Sequence, residues 1–147
     1  MSFLLHSENL QDTWLDAYGH LNEAYYLVAF SNATWALQDH LELGPAYTNA
    51  TGNALYTVET HLRYLREVRA PATLNVNSLI FGFDRKRMHI GHVLIVDGEE
   101  RATFECVLIH VGTKTGRSHP FSEEQSSALS SLPLDSIPAW SGSRVGL

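Results

Sequence analysis

The chain has 147 residues, 44% of them hydrophobic, which suffices for one globular domain with a sizeable core. A formal net charge of −6 argues against a nucleic-acid backbone as partner. The lone cysteine, Cys106, excludes an internal disulfide and a multi-thiolate metal site, and no apolar run approaches the ~20 residues that span a bilayer.

The segment Met1–Glu8 has neither the basic start nor the long apolar stretch of a secretory leader, so a cytoplasmic protein is expected. Residues 3–15 mix apolar and polar positions and predict a first extended segment, after which Gly19 permits a tight turn. From 22 to 43 the pattern is helical. Tyr26, Phe30, Ala33, Leu37 and Leu41 recur at spacings of four, three, four and four. Asn22 fits an N-cap, Glu23 puts a negative charge in the first turn, and Gly44-Pro45 ends the run. Ala24, Leu27, Val28, Ala29 and Ala36 make the other faces apolar too, which predicts a helix buried on most sides.

Residues 46–53 read as a loop with a Thr51-Gly52-Asn53 turn. Over 54–66 the period becomes two. Tyr56, Val58, Thr60, Leu62 and Tyr64 are expected on a buried face, with Thr57, Glu59, His61 and Arg63 opposite. Two more strands are predicted over 72–83 and 87–97. Asp97-Gly98 marks a hairpin into another strand near 100–112. Residues 113–121 are turn-rich, 122–132 suit a short helix, and the remainder is a tail with weak structural signal. The expectation is therefore one α+β domain over 1–147, its core within about 3–112 and 113–147 a C-terminal extension. One long helix is wrapped by a curved antiparallel sheet of about five strands.

The chemistry concentrates in Trp14-Leu15-Asp16-Ala17-Tyr18-Gly19-His20-Leu21-Asn22-Glu23. A carboxylate on a glycine-bent loop runs into a helix start. The carboxylate serves as base or nucleophile against a carbonyl, and unpaired helix N–H groups polarise the carbonyl oxygen. The competing reading is an aspartate that only caps the turn. His20 and Asn22 either position a substrate or merely hold the loop. Glu59 and His61 share one strand face. Arg85-Lys86-Arg87 is a compact basic run suited to phosphates, or else a solvated hairpin. His89 and His92 fall on opposite strand faces, so no metal site is expected. Gly-x-Ser-x-Gly, P-loop and dinucleotide-binding motifs are absent.

Asp16-x-x-Gly19-His20-x-Asn22, followed by Tyr26 and later by Tyr64-Leu65-Arg66-Glu67-Val68, resembles the active-site signature of hotdog-fold acyl-CoA thioesterases of the 4-hydroxybenzoyl-CoA thioesterase type. The resemblance covers roughly residues 5–112. It implies the hotdog fold, with Asp16 rather than Asp12 as catalytic carboxylate and the backbone N–H near Glu23 as oxyanion donor. It also implies an active site at a subunit interface of a homodimer or homotetramer. Many members carry Asp where this chain has Trp14, and a second Asn where it has Glu23. With His61 to Val68, the form found here is similar to a narrower group, the betainyl-CoA thioesterases of carnitine breakdown. That likeness implies glycine betaine and coenzyme A as products, and no separate cofactor.

A trimethylammonium group is held by aromatic faces, so Trp14, Tyr18 and Tyr26 join His20, Asn22 and His61 as expected substrate contacts. Arg85, Lys86 and Arg87 are the expected partners of the coenzyme A phosphates. The alternatives are another short or aromatic acyl-CoA, a hotdog hydratase or dehydratase, and a non-catalytic acyl-CoA-binding domain.

Overall fold

The computed structural model describes residues 2–147. Strand β1 (Phe3–Asn9) leads through a single 3-10 turn at Asp12–Trp14 to helix α1 (Glu23–His40). Helix α2 (Pro45–Thr51) follows, then β2 (Asn53–Tyr64), β3 (Thr73–Phe83), β4 (Arg87–Val96) and β5 (Glu99–Gly112). A two-residue strand β6 (Arg117–Ser118) and helix α3 (Glu123–Ser130) complete the order. All pairings are antiparallel, in the order β1-β3-β4-β5-β2, with β6 on β5. The result is the expected α+β arrangement, a curved antiparallel sheet carrying one long helix.

Helix α1 forms where the four-residue periodicity lies, and Asn22 caps it by accepting Ala24 N–H at 3.0 Å. Tyr26, Ala29, Phe30, Ala33 and Leu37 are each at most 3% exposed, facing β1, β3 and β4. A buried side chain such as Phe30 contributes about 1.5–3 kcal/mol. The other faces do not follow the expectation. Leu27, Val28 and Trp35 are well exposed, because α1 lies over the β1 side of the sheet and leaves β2 uncovered. A cleft of about 540 Å³ runs between them, walled by Leu27, Trp35, Leu55 and Thr57 above Phe104.

Other boundaries differ for local reasons. The first extended segment stops at Asn9, since Asp12–Trp14 coil into a turn. Helix α1 stops before Gly44-Pro45, where Glu42 takes φ 58°. The expected loop at 46–53 is largely helix α2, with Pro45 in its first turn, where the missing N–H costs nothing. In β2 a bulge at Val58 shifts the register from Thr57↔Leu108 to Glu59↔Val107. Leu55, Thr57, Thr60, Leu62 and Tyr64 therefore face inward, and Tyr56 goes outward. As an edge strand β2 buries only Leu55 fully.

Inside the sheet, His92 is fully buried between Thr34 Oγ1 and Ser78 Oγ, each 2.9 Å away, and stacks on Phe30 and Phe104. The core also takes Phe121 and Leu129 from beyond residue 112. Ser122 and Gln125 close a capping box on α3. The tail is pinned to the sheet. Asp135 N–H donates to Ile80 O (2.8 Å), and Ile80 N–H donates to Asp135 Oδ2 (2.9 Å). Trp140 packs on Phe81, and Glu105 accepts from Ser141 Oγ (2.7 Å) and Gly142 N–H (2.6 Å). Among the described residues no helix is long and apolar enough to cross a membrane.

Candidate active site

The loop before α1 closes on itself like a small hairpin. Asn22 N–H donates to Trp14 O (2.9 Å), Leu15 bridges Leu21, and Asp16 N–H donates to His20 O (2.8 Å). Gly19 turns the chain with φ 77°, a region that suits glycine. Asp16 Oδ1 accepts the N–H groups of Tyr18 (2.9 Å) and His20 (3.1 Å), an Asx-type turn. The turn-capping reading of Asp16 is thus met by one oxygen alone. Oδ2 has no hydrogen-bond partner among the described residues.

Segment 64–69, which follows β2, locks this loop to the sheet. Leu21 N–H donates to Val68 O (2.8 Å), and His20 bridges Arg69. Tyr64 O–H donates to Glu23 O (3.0 Å), and Tyr26 O–H reaches Arg66 O at 3.5 Å. The two phenol rings meet edge to face at 4.9 Å. His20 Nε2 stands 2.9 Å from Glu67 Oε2, a close contact without hydrogen-bond geometry.

At the helix start, Ala24 N–H goes to the Asn22 side chain and Tyr25 N–H to Asn22 O (3.0 Å). Glu23 N–H has no acceptor among the described residues, and Glu23 is exposed. A free carboxylate oxygen and a free helix N–H therefore occupy adjoining segments. That arrangement can deliver a nucleophile to a carbonyl and hold the oxygen that becomes charged.

Asp16, His20, Asn22, Glu23, Tyr18 and Tyr26 belong to this loop and the first helical turn. Trp14 lies beneath it, 8% exposed, its ring stacked on Tyr25 at 5.5 Å. Tyr26 is 3% exposed and belongs to the core. His61 stands elsewhere. With Glu59 it points to the outer face of the sheet, beside a 280 Å³ pocket that His89, Glu105 and Arg144 also line. There Glu105 is 7% exposed. Burial opposes its charge, but bonds from His89, Ser141 and Gly142 outweigh burial and hold the carboxyl below its usual range.

Arg85, Lys86 and Arg87 sit in the β3–β4 hairpin, next to Ile109 and hence to the Tyr56 end of β2. The Asp16 loop is at the Tyr64 end, so within one chain the run and the loop occupy opposite ends of the sheet. Arg87 is also committed to Asp84 (Nε to Oδ2, 2.7 Å), whose carboxyl this bond brings down to about 2.

Three arginines with no expected role, Arg66, Arg69 and Arg101, flank the loop. Arg69 pairs with Glu67 (3.1 Å), Arg66 with Glu99 (3.6 Å), and Arg101 Nη1 donates to Glu67 O (2.9 Å). Arg66 lies inside the Tyr64–Val68 pattern and Arg69 directly after it, whereas Arg101 comes from the start of β5 and leaves no local mark. His89 and His92 take opposite faces: His89 meets Glu105 on the outer side, and His92 lies in the core. Burial pushes the Cys106 thiol up to about 12, which leaves it unreactive.

Residues 10–129 match the family model described as the thioesterase-like superfamily. The betainyl-CoA thioesterase of Pseudomonas aeruginosa is 42% identical over 113 residues, 76% of this chain and 71% of that protein. An L-carnitine dehydrogenase/betainyl-CoA thioesterase of Agrobacterium fabrum is 43% identical over 78% of this chain, a span that is only 24% of that longer protein. Among solved structures, a putative thioesterase from Pseudomonas putida KT2440 superposes with TM-score 0.84 at 33% identity, covering 100% of this chain and 97% of the other. A Staphylococcus aureus protein solved in complex with CoA gives TM-score 0.86 at 23% identity, over 97% and 93% of the two chains, a likeness of fold.

Proposed function

The chain belongs to the thioesterase-like superfamily, and we propose that it hydrolyses betainyl-CoA to glycine betaine and coenzyme A. The observation that carries the reaction is the Asp16 Oδ2 left uncommitted, beside a helix whose first N–H has no acceptor, among the described residues. The substrate rests on the likeness to the Pseudomonas aeruginosa betainyl-CoA thioesterase.

In this reading Asp16 attacks the thioester carbonyl, or draws the proton from the water that attacks it. Negative charge moves onto the carbonyl oxygen, where Glu23 N–H and the positive end of α1 stabilise it. The carbon–sulfur bond breaks and the thiolate leaves. On the covalent route water then cleaves the acyl–Asp16 anhydride. On either route the acid is released, Asp16 is regenerated and the thiolate takes up the proton that the water gives up. Tyr18, His20 and Asn22 shape the loop around the acyl group. Coenzyme A enters as part of the substrate, and no separate cofactor is invoked. An acyl-CoA substrate agrees with a cytoplasmic enzyme.

A second copy of the chain completes the site. β2 is an edge strand of twelve residues, and Leu27, Val28, Trp35, Tyr56 and Val58 lie exposed along it and the uncovered side of α1. An exposed apolar edge of that length calls for a partner strand, and β2 can pair with itself about a two-fold axis. Arg66 and Arg69 stand near enough to the loop of their own chain to meet phosphate groups. Arg85, Lys86 and Arg87 would serve across the interface.

Release of free thiol from a panel of acyl-CoAs tests the function. Betainyl-CoA should be the best substrate, and Asp16→Asn should reduce its turnover by roughly a hundredfold or more. No hydrolysis of any member of the panel would end the enzyme reading. A fully active Asp16→Asn would end the mechanism.

A further inference from the structure

We propose that Tyr64 and the side-chain carboxylate of Glu23 form the subsite for the cationic head of the acyl group. The inference rests on the betainyl-CoA reading above and adds the residues that select the charge.

Position comes first. A carbonyl oxygen held by Glu23 N–H fixes the acyl group at the start of α1. In a betainyl thioester the quaternary nitrogen is two bonds from the carbonyl carbon, about 2.5 Å. Whatever recognises it must therefore also stand beside Glu23. Trp35 does not qualify within its own chain, because twelve helical residues separate it from Glu23 by roughly 18 Å. Trp14 and Tyr26 are buried and their rings packed. Tyr18 is 80% exposed at the turn, and among the described residues its ring meets only that of His20, at 6.4 Å.

Tyr64 meets each requirement that the others miss. It is 50% exposed, its hydroxyl bonds to Glu23 O, and Tyr26 braces its ring at right angles. The ring is consequently fixed before a ligand arrives. A cation within about 6 Å of an aromatic centroid is attracted to its face.

Charge supplies the second argument. Glu67 is engaged by His20 and Arg69, and one oxygen of Asp16 is engaged by the turn. The Glu23 carboxylate has no ion-pair or hydrogen-bond partner among the described residues. It lies close enough to Tyr64 to raise the phenol above its ordinary value, second only to burial. A trimethylammonium cannot donate a hydrogen bond, so a free carboxylate and a fixed aromatic face are the groups that suit it.

The test compares betainyl-CoA with 3,3-dimethylbutanoyl-CoA, which carries carbon in place of the quaternary nitrogen. The quantity read is the ratio of the two kcat/KM values for wild type, Glu23→Gln, Tyr64→Phe and Tyr64→Leu. Glu23→Gln and Tyr64→Leu should each lower the ratio roughly tenfold, whereas Tyr64→Phe, which keeps the ring, should hold it within about twofold. For a variant too slow to assay, calorimetric binding of the two matching thioether analogues supplies the same ratio. A ratio unmoved by both Glu23→Gln and Tyr64→Leu overturns the subsite, as does a wild type with no preference for the cation. A wild type that hydrolyses neither substrate fails earlier and overturns the reaction itself.

Discussion

Asn22 donates its amide hydrogen to the carbonyl of Trp14 across 2.9 Å, and its side chain caps α1 through Ala24 N–H. One residue therefore closes the loop that carries Asp16 and starts the helix that carries the free Glu23 N–H. Carboxylate and helix start are set relative to each other by a single side chain and its own amide.

Asn22→Ala should cost about 1 kcal/mol of stability by loss of the cap. It should also lower kcat roughly tenfold or more, since small misplacements of reacting groups are expensive. Asn22→Asp retains the cap and should retain most of the stability. Thermal melts and thiol-release assays on the two variants check both effects. An alanine variant with unchanged kcat would separate the cap from the chemistry.

The open edge of β2 should control assembly. Val58 is 58% exposed at the bulge, and lysine there places a charge on the edge. The wild type should scatter light as at least twice the chain mass, and Val58→Lys should shift it toward the monomer with loss of activity. A wild type that is monomeric at assay concentration and fully active would remove the second copy from the site.

Acid stability should follow His92. Burial, and then the nearby His6, push its imidazole down to about 3. In the unfolded chain it takes a proton near 6.5. Between those values only the unfolded state is protonated at this site. The folded state is thus fully favoured above pH ~6.5 and loses about 1.4 kcal/mol per pH unit as the pH falls. His110, also lowered by burial, adds in the same direction. Urea unfolding from about pH 7 to 4 should show this slope, and His92→Gln should flatten it by about one proton while costing stability at neutrality. An unchanged slope in His92→Gln would show that His92 does not carry it.

Much of this molecule was legible in the sequence because local rules act locally. Asn22 caps the helix, Asp97-Gly98 turns the hairpin with φ 53° and 76°, and Glu59 stays on the same face as His61. The loop of Asp16 was readable because a glycine turn and a helix start both leave marks in composition. What local pattern leaves open depends on contacts between separate elements. Trp14 is buried by Tyr25, eleven residues on. Arg85–Arg87 lie at the other end of the sheet from Asp16 within one chain because antiparallel register sets Arg87 beside Ile109, across from Tyr56 rather than Tyr64. The inward face of β2 was misread at Tyr56 because one extra residue at Val58 breaks the period of two.

The tail, for all its weak signal in sequence, should matter for folding. A Cβ on Gly91 would stand 2.6 Å from the Phe81 ring and 3.0 Å from Trp140. Gly91→Ala should therefore lift the tail from the outer face and cost about 1–3 kcal/mol. Chemical denaturation measures the cost, and faster proteolysis after residue 131 reports the release. A variant as stable and as protease-resistant as wild type would mean that the tail does not need the slot.

The bulge at Val58 also determines which kinds of change β2 can absorb. Point substitutions there touch an exposed edge and leave the register alone. Removing Val58 itself would close the ladder, with Thr57 and Glu59 becoming neighbours and every other side chain keeping its face. A deletion elsewhere in β2 would instead turn the side chains beyond it to the other face or force the strand to slide against β5. A residue lost between Glu59 and Tyr64 would thus turn the Tyr64 hydroxyl away from Glu23 while leaving every residue named in the active-site loop in place. Descendants of this chain should avoid charge at 58, and any shortening of β2 should fall at that position.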